Sequence, residues 1–82
     1  METITVDATT YELIADSMLS QNDWVVQVAP EHEPFFNSIK GQNKSFTLDD
    51  GQSLNGSVIK VEPHRFNQNK PQVQVQIRRA GY

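Results

Sequence analysis

The sequence predicts an α+β domain in which one N-terminal amphipathic helix packs on a strongly bent antiparallel sheet of about five strands. Two observations predict this class. Apolar residues recur at helical spacing over residues 9–19, and along much of the remaining chain they alternate with polar residues, as in half-buried strands. A chain of 82 residues also predicts a single domain, residues 1–82, with a small hydrophobic core.

The clearest strand is predicted over residues 72–78. Val73, Val75 and Ile77 fall on one face of it, and glutamines fall on the other, because side chains alternate along a strand. A strand with a single apolar face is typical of an antiparallel sheet that has one wet side. We therefore expect these three side chains to lie in the core.

Two further strands are predicted before it, over residues 44–48 and 53–62. Asp50-Gly51 between them indicates a hairpin turn, because glycine adopts positive φ without steric cost. Each of the two strands contains alternating apolar residues. The last third of the chain is thus predicted to be a three-stranded antiparallel meander.

The middle strand of this meander is predicted to bend. Its apolar phase breaks between Val58 and Ile59, two residues after Gly56, and such a break indicates a β-bulge. The motif Leu54-Asn-Gly-Ser-Val58 resembles the sharply bent L-x-G-x-V strand of small SH3-like and Sm-like barrels. This resemblance covers about a dozen residues and implies that the sheet curls toward a small partial barrel.

The N-terminal helix is predicted from two signals that follow a short strand containing Ile4 and Val6. Thr9, with Glu12 three residues later, fits a capping box, in which hydroxyl and carboxylate bind the free amides of a helix start. An apolar stripe at helical spacing follows, made of Tyr11, Ile14, Ala15, Met18 and Leu19. We expect this helix to end near residues 20–22 and its stripe to pack on the sheet.

The next segment is predicted to form a strand, a polar loop and an aromatic region. Trp24, Val26 and Val28 share one face of the strand, which Pro30 ends because proline cannot donate a ladder hydrogen bond. Residues 35–39 leave two alternatives. They form either a short strand or a turn that inserts its apolar side chains into one end of the core.

The residue types argue against an enzyme. The chain has no cysteine, which excludes thiol catalysis and cysteine-bound metal. His32 and His64 lack the spacing of metal ligands, and the adjacent Asp49 and Asp50 are expected to form the hairpin turn. We therefore predict no catalytic residue, no cofactor and no metal site.

Composition predicts a cytoplasmic protein without a membrane segment, because the sequence has neither a long apolar run nor a charged and apolar leader. Its charges are unevenly distributed. Residues 1–41 carry seven acids and one base, whereas residues 42–82 carry three acids and six bases. We expect the two halves to complement each other within one fold or between two copies. The net charge of −3 disfavours nucleic acid as the main partner.

The sequence therefore favours a non-enzymatic interaction or accessory module. We expect it to bind a protein partner, or a second copy of itself as a homodimer, through an edge or a face of its small sheet. One alternative is a small-molecule site between the helix and the sheet. The residues predicted to line that pocket are Tyr11, Trp24, Phe35 and Phe36.

A second alternative is binding of single-stranded nucleic acid by the basic C-terminal half. Cations combined with aromatic rings are the groups that hold single strands. The residues that would do so are Arg65, Phe66, Lys70, Arg78 and Arg79. If the last two strands pair as a hairpin, however, the two arginines at the end of the chain lie far from the other three residues.

Overall fold

The structure, a computed structural model, describes residues 2–14, 17–64 and 72–80. In these ranges the chain forms seven strands and one short α-helix, which a 3₁₀ turn at Pro30–His32 precedes. The strands are β1 (Thr3–Val6), β2 (Thr9–Glu12), β3 (Met18–Leu19), β4 (Asp23–Val28), β5 (Asn43–Leu48), β6 (Ser53–His64) and β7 (Gln72–Arg79), and the helix is α1 (Glu33–Ser38).

These strands of the described residues build one antiparallel sheet in the order β2-β1-β5-β6-β7-β4-β3. The sheet curves into a half-barrel and forms a small, compact domain. The predicted α+β class, with an N-terminal helix on about five strands, is therefore wrong. The protein is mostly antiparallel sheet, and its short helix lies in the middle of the chain.

The segment predicted as a helix start instead forms the second strand of a hairpin. Asp7 and Ala8 have φ values of 52° and 66°. Positive φ at both central residues is typical of the two-residue turns whose twist matches that of the flanking strands. The turn pairs Thr9 with Val6, and both Thr9 and Glu12, the predicted capping box, are exposed strand residues.

The buried residues in this segment recur every second position, as in a strand, and do not follow the predicted helical stripe. Tyr11 and Leu13 are 9% and 5% exposed, whereas Ile14 and Met18 are 42% and 61% exposed. Alternation at Tyr11 and Leu13 places both side chains in the core, opposite the side on which Glu12 lies. Pairing with β1 and burial against the rest of the sheet thus override the helical spacing of the local sequence.

The chain changes its pairing partner at Leu13, and this closes the half-barrel at one point. The Leu13 N–H donates to the Glu2 carbonyl oxygen at 2.9 Å, and Leu13 also bridges to Val28 of β4. The Ile14 N–H donates to the Gln27 carbonyl oxygen at 2.9 Å. We call these contacts of Leu13 and Ile14 the joint, because they link the β1 end of the sheet to β4.

The predicted meander is confirmed, because β6 lies between β5 and β7 and pairs with both. In the turn from β5 to β6, Gly51 has a φ of 95°. The Asp50 carboxylate accepts hydrogen bonds from the Gln52 backbone N–H at 3.0 Å and from the Gln52 side-chain amide at 2.7 Å. These bonds favour the charged form and lower the pKa of Asp50.

The predicted bulge in the middle strand is confirmed as well. Val58 pairs with Ile77 and Lys60 pairs with Gln76, so Ile59 is an extra residue on β6 at this point. An extra residue bends the strand and increases its local twist. This bend, in the longest strand of the sheet, contributes to the curvature of the half-barrel.

The core fills the concave side of the half-barrel. Helix α1 covers one end of it with Phe36, which is fully buried, and Ile39 follows at 6% exposure. The aromatic region therefore inserts into the core, as one predicted alternative had it, but most of it is helical. The other buried apolar residues are Ile4, Val6, Tyr11, Leu13, Trp24, Val26, Val28, Phe46, Leu48, Leu54, Val58, Val73, Val75 and Ile77.

Candidate functional site

The outer, solvent-facing side of β4 and β7 carries rows of paired side chains. Residues that pair across antiparallel strands point to the same side of the sheet. Val25 of β4 pairs with Gln76 of β7, and Gln27 pairs with Gln74. All four are partly buried, while the residues between them along each strand face the core. These two rows are the centre of the candidate site.

Two apolar side chains extend these rows beyond β4. Met18 of β3 pairs with Val25, so its side chain also points outward. Ile14 lies beside Gln27, because its N–H donates to the Gln27 carbonyl oxygen. We call the resulting group the outer patch, and it consists of Ile14, Met18, Val25, Gln27, Gln74 and Gln76.

The outer patch is where large apolar side chains are exposed. Among the residues that the structure describes, three large apolar side chains are classed as exposed, and Ile14 and Met18 are two of them. The third, Leu19, is 37% exposed and pairs with the buried Trp24, which places it on the inner side of the sheet. Adjacent exposed apolar side chains on one face are typical of contact surfaces.

Paired charges flank the outer patch. Arg78 Nε donates to Asp23 Oδ1 at 3.1 Å, one row beyond the patch along β4 and β7. On β6, Lys60 Nζ lies 3.2 Å from Glu62 Oε1, and both residues pair with glutamines of the patch. Because each pair is neutral, the site has an apolar and amide centre between compensated charges.

Gln27 contributes a polar atom without a partner. Its Oε1 is buried, and within the described part of the chain no group donates a hydrogen bond to it. A buried acceptor without a donor costs roughly 1–3 kcal/mol. Rotation of this amide toward a donor outside the chain would remove that cost.

The other half of the outer face has a different chemistry. Thr5 of β1 pairs with Thr10 and with Thr47, and Thr47 pairs with Ser53. The Thr5 and Thr10 hydroxyl oxygens lie 2.9 Å apart and share a hydrogen bond. These rows present short hydroxyl side chains, so the large apolar groups of the outer face are concentrated on the outer patch.

Three of the four residues predicted to line a small-molecule pocket meet at α1. The Tyr11 ring centroid lies 5.1 Å from that of Phe35 and 5.3 Å from that of Phe36. The His32 ring, which the sequence analysis did not include, contacts Tyr11 edge-on at 4.8 Å. Trp24 is near the start of β4, whereas α1 follows the end of that strand, so the predicted set is divided.

Helical spacing was the signal that could have added the histidine to this cluster. His32, Phe35 and Phe36 are related by i, i+3 and i+4. A polar loop was predicted at residues 31–34 instead. Pro30 and Pro34 stand in the first turns of the 3₁₀ turn and of α1, where proline is tolerated.

The residues predicted to bind nucleic acid are only partly described. Arg65, Phe66 and Lys70 lie outside the described residues. Arg78 pairs with Asp23, and Arg79 Nε donates to the Gln21 carbonyl oxygen at 2.9 Å. Arg78 and Arg79 lie at the end of β7, about 23 Å along the strand from its first residue, Gln72.

Among the described residues, two ion pairs link the acidic half of the sequence to the basic half. Lys44 Nζ lies 3.0 Å from Asp7 Oδ2, and Arg78 contacts Asp23. The two halves therefore complement each other within the fold, which is one of the two arrangements expected from the charge distribution. Partial exposure and solvent screening keep the contribution of such pairs to stability small.

No family model, curated protein or solved structure was found to match this chain. Across residues 2–14, 17–64 and 72–80, no three His, Asp or Glu side chains come together as a metal site would require. The described helices are also too short to cross a membrane. The outer patch is therefore argued from its own geometry and chemistry.

Proposed function

We propose that the protein is a non-enzymatic binding module that docks a protein partner on the outer patch of its sheet. The observation that carries this proposal is the position of Met18 beside Val25 and of Ile14 beside Gln27, on one face of the sheet. Removing apolar surface from water contributes about 25 cal/mol per Å² of area buried. A partner that covers these side chains thus gains binding free energy.

The surroundings of the outer patch support a protein as the partner. Protein interfaces commonly have an apolar centre that is depleted in charge and a polar rim. Here the centre is apolar and amide, and the Asp23–Arg78 and Lys60–Glu62 pairs form the rim. Glutamine side chains offer both donors and acceptors for hydrogen bonds to a partner.

Docking on the face of the sheet is favoured over strand addition at an edge. The two end strands of the sheet, β2 and β3, have four and two residues in the structure. Short edge strands offer few free backbone groups for pairing with another chain. Binding at an edge of the sheet, which the sequence allowed as well as binding on a face, therefore has few backbone groups available for hydrogen bonds.

The other expectations remain predictions. Arg78 and Arg79 already bind groups of the chain itself, which leaves the nucleic-acid alternative with less support in the described residues. The aromatic cluster at α1 offers a small-molecule site only three of its four predicted residues. We also propose that the module acts in the cytoplasm.

Affinity capture with Met18→Lys tests the proposed function. Baits of the unaltered protein, of Met18→Lys and of Thr10→Lys are incubated with extract of the cells that make the protein. Any captured protein is then purified and titrated against all three baits. We expect Met18→Lys to weaken binding about tenfold or more, because removing the lysine ammonium group from water into an apolar contact costs free energy.

Thr10→Lys is the matched control, since it adds the same charge at an exposed strand residue on the hydroxyl half of the outer face. We expect it to bind within about twofold of the unaltered protein. Equal binding by all three baits would reject the outer patch as the docking site. Failure to bind any protein, a second copy included, would reject the function itself.

A further inference from the structure

We infer that the partner on the outer patch is a second copy of this chain, joined patch to patch about a two-fold axis. This inference rests on the proposed function and names its partner. A two-fold interface brings the same surface of both copies together, so that surface must complement itself. Two properties of the outer patch meet this condition, its amides and its charge. Its size sets the strength of the contact.

The amides of the outer patch complement themselves. Gln27, Gln74 and Gln76 each carry one acceptor oxygen and an amino group with two donors. When two copies face each other, the amino groups of one meet the oxygens of the other. The unpaired Gln27 Oε1 gains a donor in this way after rotation of its amide, which gives the buried atom a role in the assembly.

The charge of the outer patch allows two copies to approach. The whole chain carries a net charge of −3, and this disfavours contact between copies at most places on the surface. At the outer patch, however, Asp23 is neutralised by Arg78, and Glu62 by Lys60. A partner chosen by charge would match a surplus of one sign, and the outer patch has none.

The size of the outer patch sets the strength of the expected dimer. Its four strands β3, β4, β7 and β6 span roughly 14 Å across, and the six residues of β4 span roughly 20 Å along the strand. The outer side of a half-barrel is convex, so contact is confined to this area. This area is well below the roughly 800 Å² per partner of a standard interface, so we expect a weak, transient dimer with a Kd of roughly 100 µM.

Analytical ultracentrifugation of the purified protein tests this inference. We expect the average mass to rise toward twice the monomer mass between about 10 and about 500 µM, the range in which a dimer of this strength forms. Met18→Lys should raise the Kd about tenfold or more. Leu19→Lys adds the same charge to the neighbouring residue on the opposite side of the sheet, and should change the Kd by less than about twofold.

Cysteine cross-linking locates the contact independently. The chain has no cysteine, so any disulfide formed by a single-cysteine variant joins two copies. We expect Gln74→Cys, in the centre of the outer patch, to form dimers under mild oxidation much faster than Thr47→Cys. Thr47 is exposed on the hydroxyl half of the same face and serves as the control for random collision. Thermal melting of each variant confirms that it is folded.

The outcomes separate this inference from the proposed function. A protein that stays monomeric through about 500 µM, with equal cross-linking at both cysteines, overturns the second copy as partner. In that case the proposed function stands if Met18→Lys still weakens the binding of a different protein, and it is rejected if that binding is unchanged. A dimer that Leu19→Lys disrupts and Met18→Lys leaves intact places the contact elsewhere and also overturns the inference.

Discussion

At Gly56, the backbone of β6 leaves no room for a side chain beside the backbone of β7. A Cβ placed on Gly56 overlaps the Arg78 carbonyl oxygen and lies 2.8 Å from the carbonyl carbon of the same residue. Backbone atoms within a sheet cannot move aside as the end of a flexible side chain can. The sequence indicated a bend at Gly56, but the physical reason for glycine here is the close approach of another strand, which only the pairing of β6 with β7 shows.

We predict that Gly56→Ala destabilises the protein by about 2 kcal/mol or more, because the added methyl group forces the two strands apart. Gly41→Ala is the comparison. Gly41 has a φ of 85°, and a Cβ placed on it meets no atom within 4 Å, so its replacement costs only the backbone strain, about 1 kcal/mol. Urea denaturation measures both values. Equal losses of stability would mean that the close approach to Arg78 carries no energetic weight.

The strand pairing that the sequence predicted correctly is that of the meander, in which neighbours in the chain are also neighbours in the sheet. β5, β6 and β7 follow one another in the chain, and Gly51 in the turn and the phase break before Ile59 fix their arrangement. The β1–β2 hairpin carried a weaker signal, because Asp7-Ala8 is not one of the glycine-containing pairs that favour its turn. The helical spacing after Thr9 therefore outweighed the β-branched and aromatic residues of β2, which favour a strand.

We predict that Ala8→Gly stabilises the protein by about 0.5–1 kcal/mol. Glycine relieves the positive φ of Ala8, and this gain exceeds the entropy that glycine loses on folding. Ala29→Gly is the matched control, since Ala29 has an ordinary extended backbone with a φ of −64°. There the same substitution should lower the free energy of unfolding by about 0.5–1 kcal/mol. A loss of stability with Ala8→Gly would contradict the turn, and thermal melting of both variants measures the difference.

At the scale of the whole molecule, the arrangement depends on pairs that are far apart in sequence. β1 lies beside β5, β4 lies beside β7, and the joint at Leu13 links the two ends of the sheet. The outer patch is a product of this arrangement, because Gln74 and Gln76 lie beside Gln27 and Val25 only where β7 pairs with β4. Periodicity gave the inner face of β4 correctly, but it contains no information on which strands lie next to one another.

We predict that Leu13→Ala lowers the free energy of unfolding by about 2–5 kcal/mol, because it removes buried methyl groups at the joint. Ile14→Ala makes a comparable deletion one residue later, on the exposed side, and should cost less than about 1 kcal/mol. Denaturation at low protein concentration measures both values without a contribution from dimers. Similar losses for the two variants would show that the joint does not stabilise the half-barrel.

The pairing of β4 with β7 has a consequence for the protein during its synthesis on the ribosome. β4 is synthesised before β7, the strand with which it pairs along its whole length. Until β7 has been made, the apolar side chains of Trp24, Val26 and Val28 lack the strand that pairs with β4 in the folded protein. Newly made chains thus pass through a stage in which the apolar face of β4 is exposed, and exposed apolar strands are prone to aggregation.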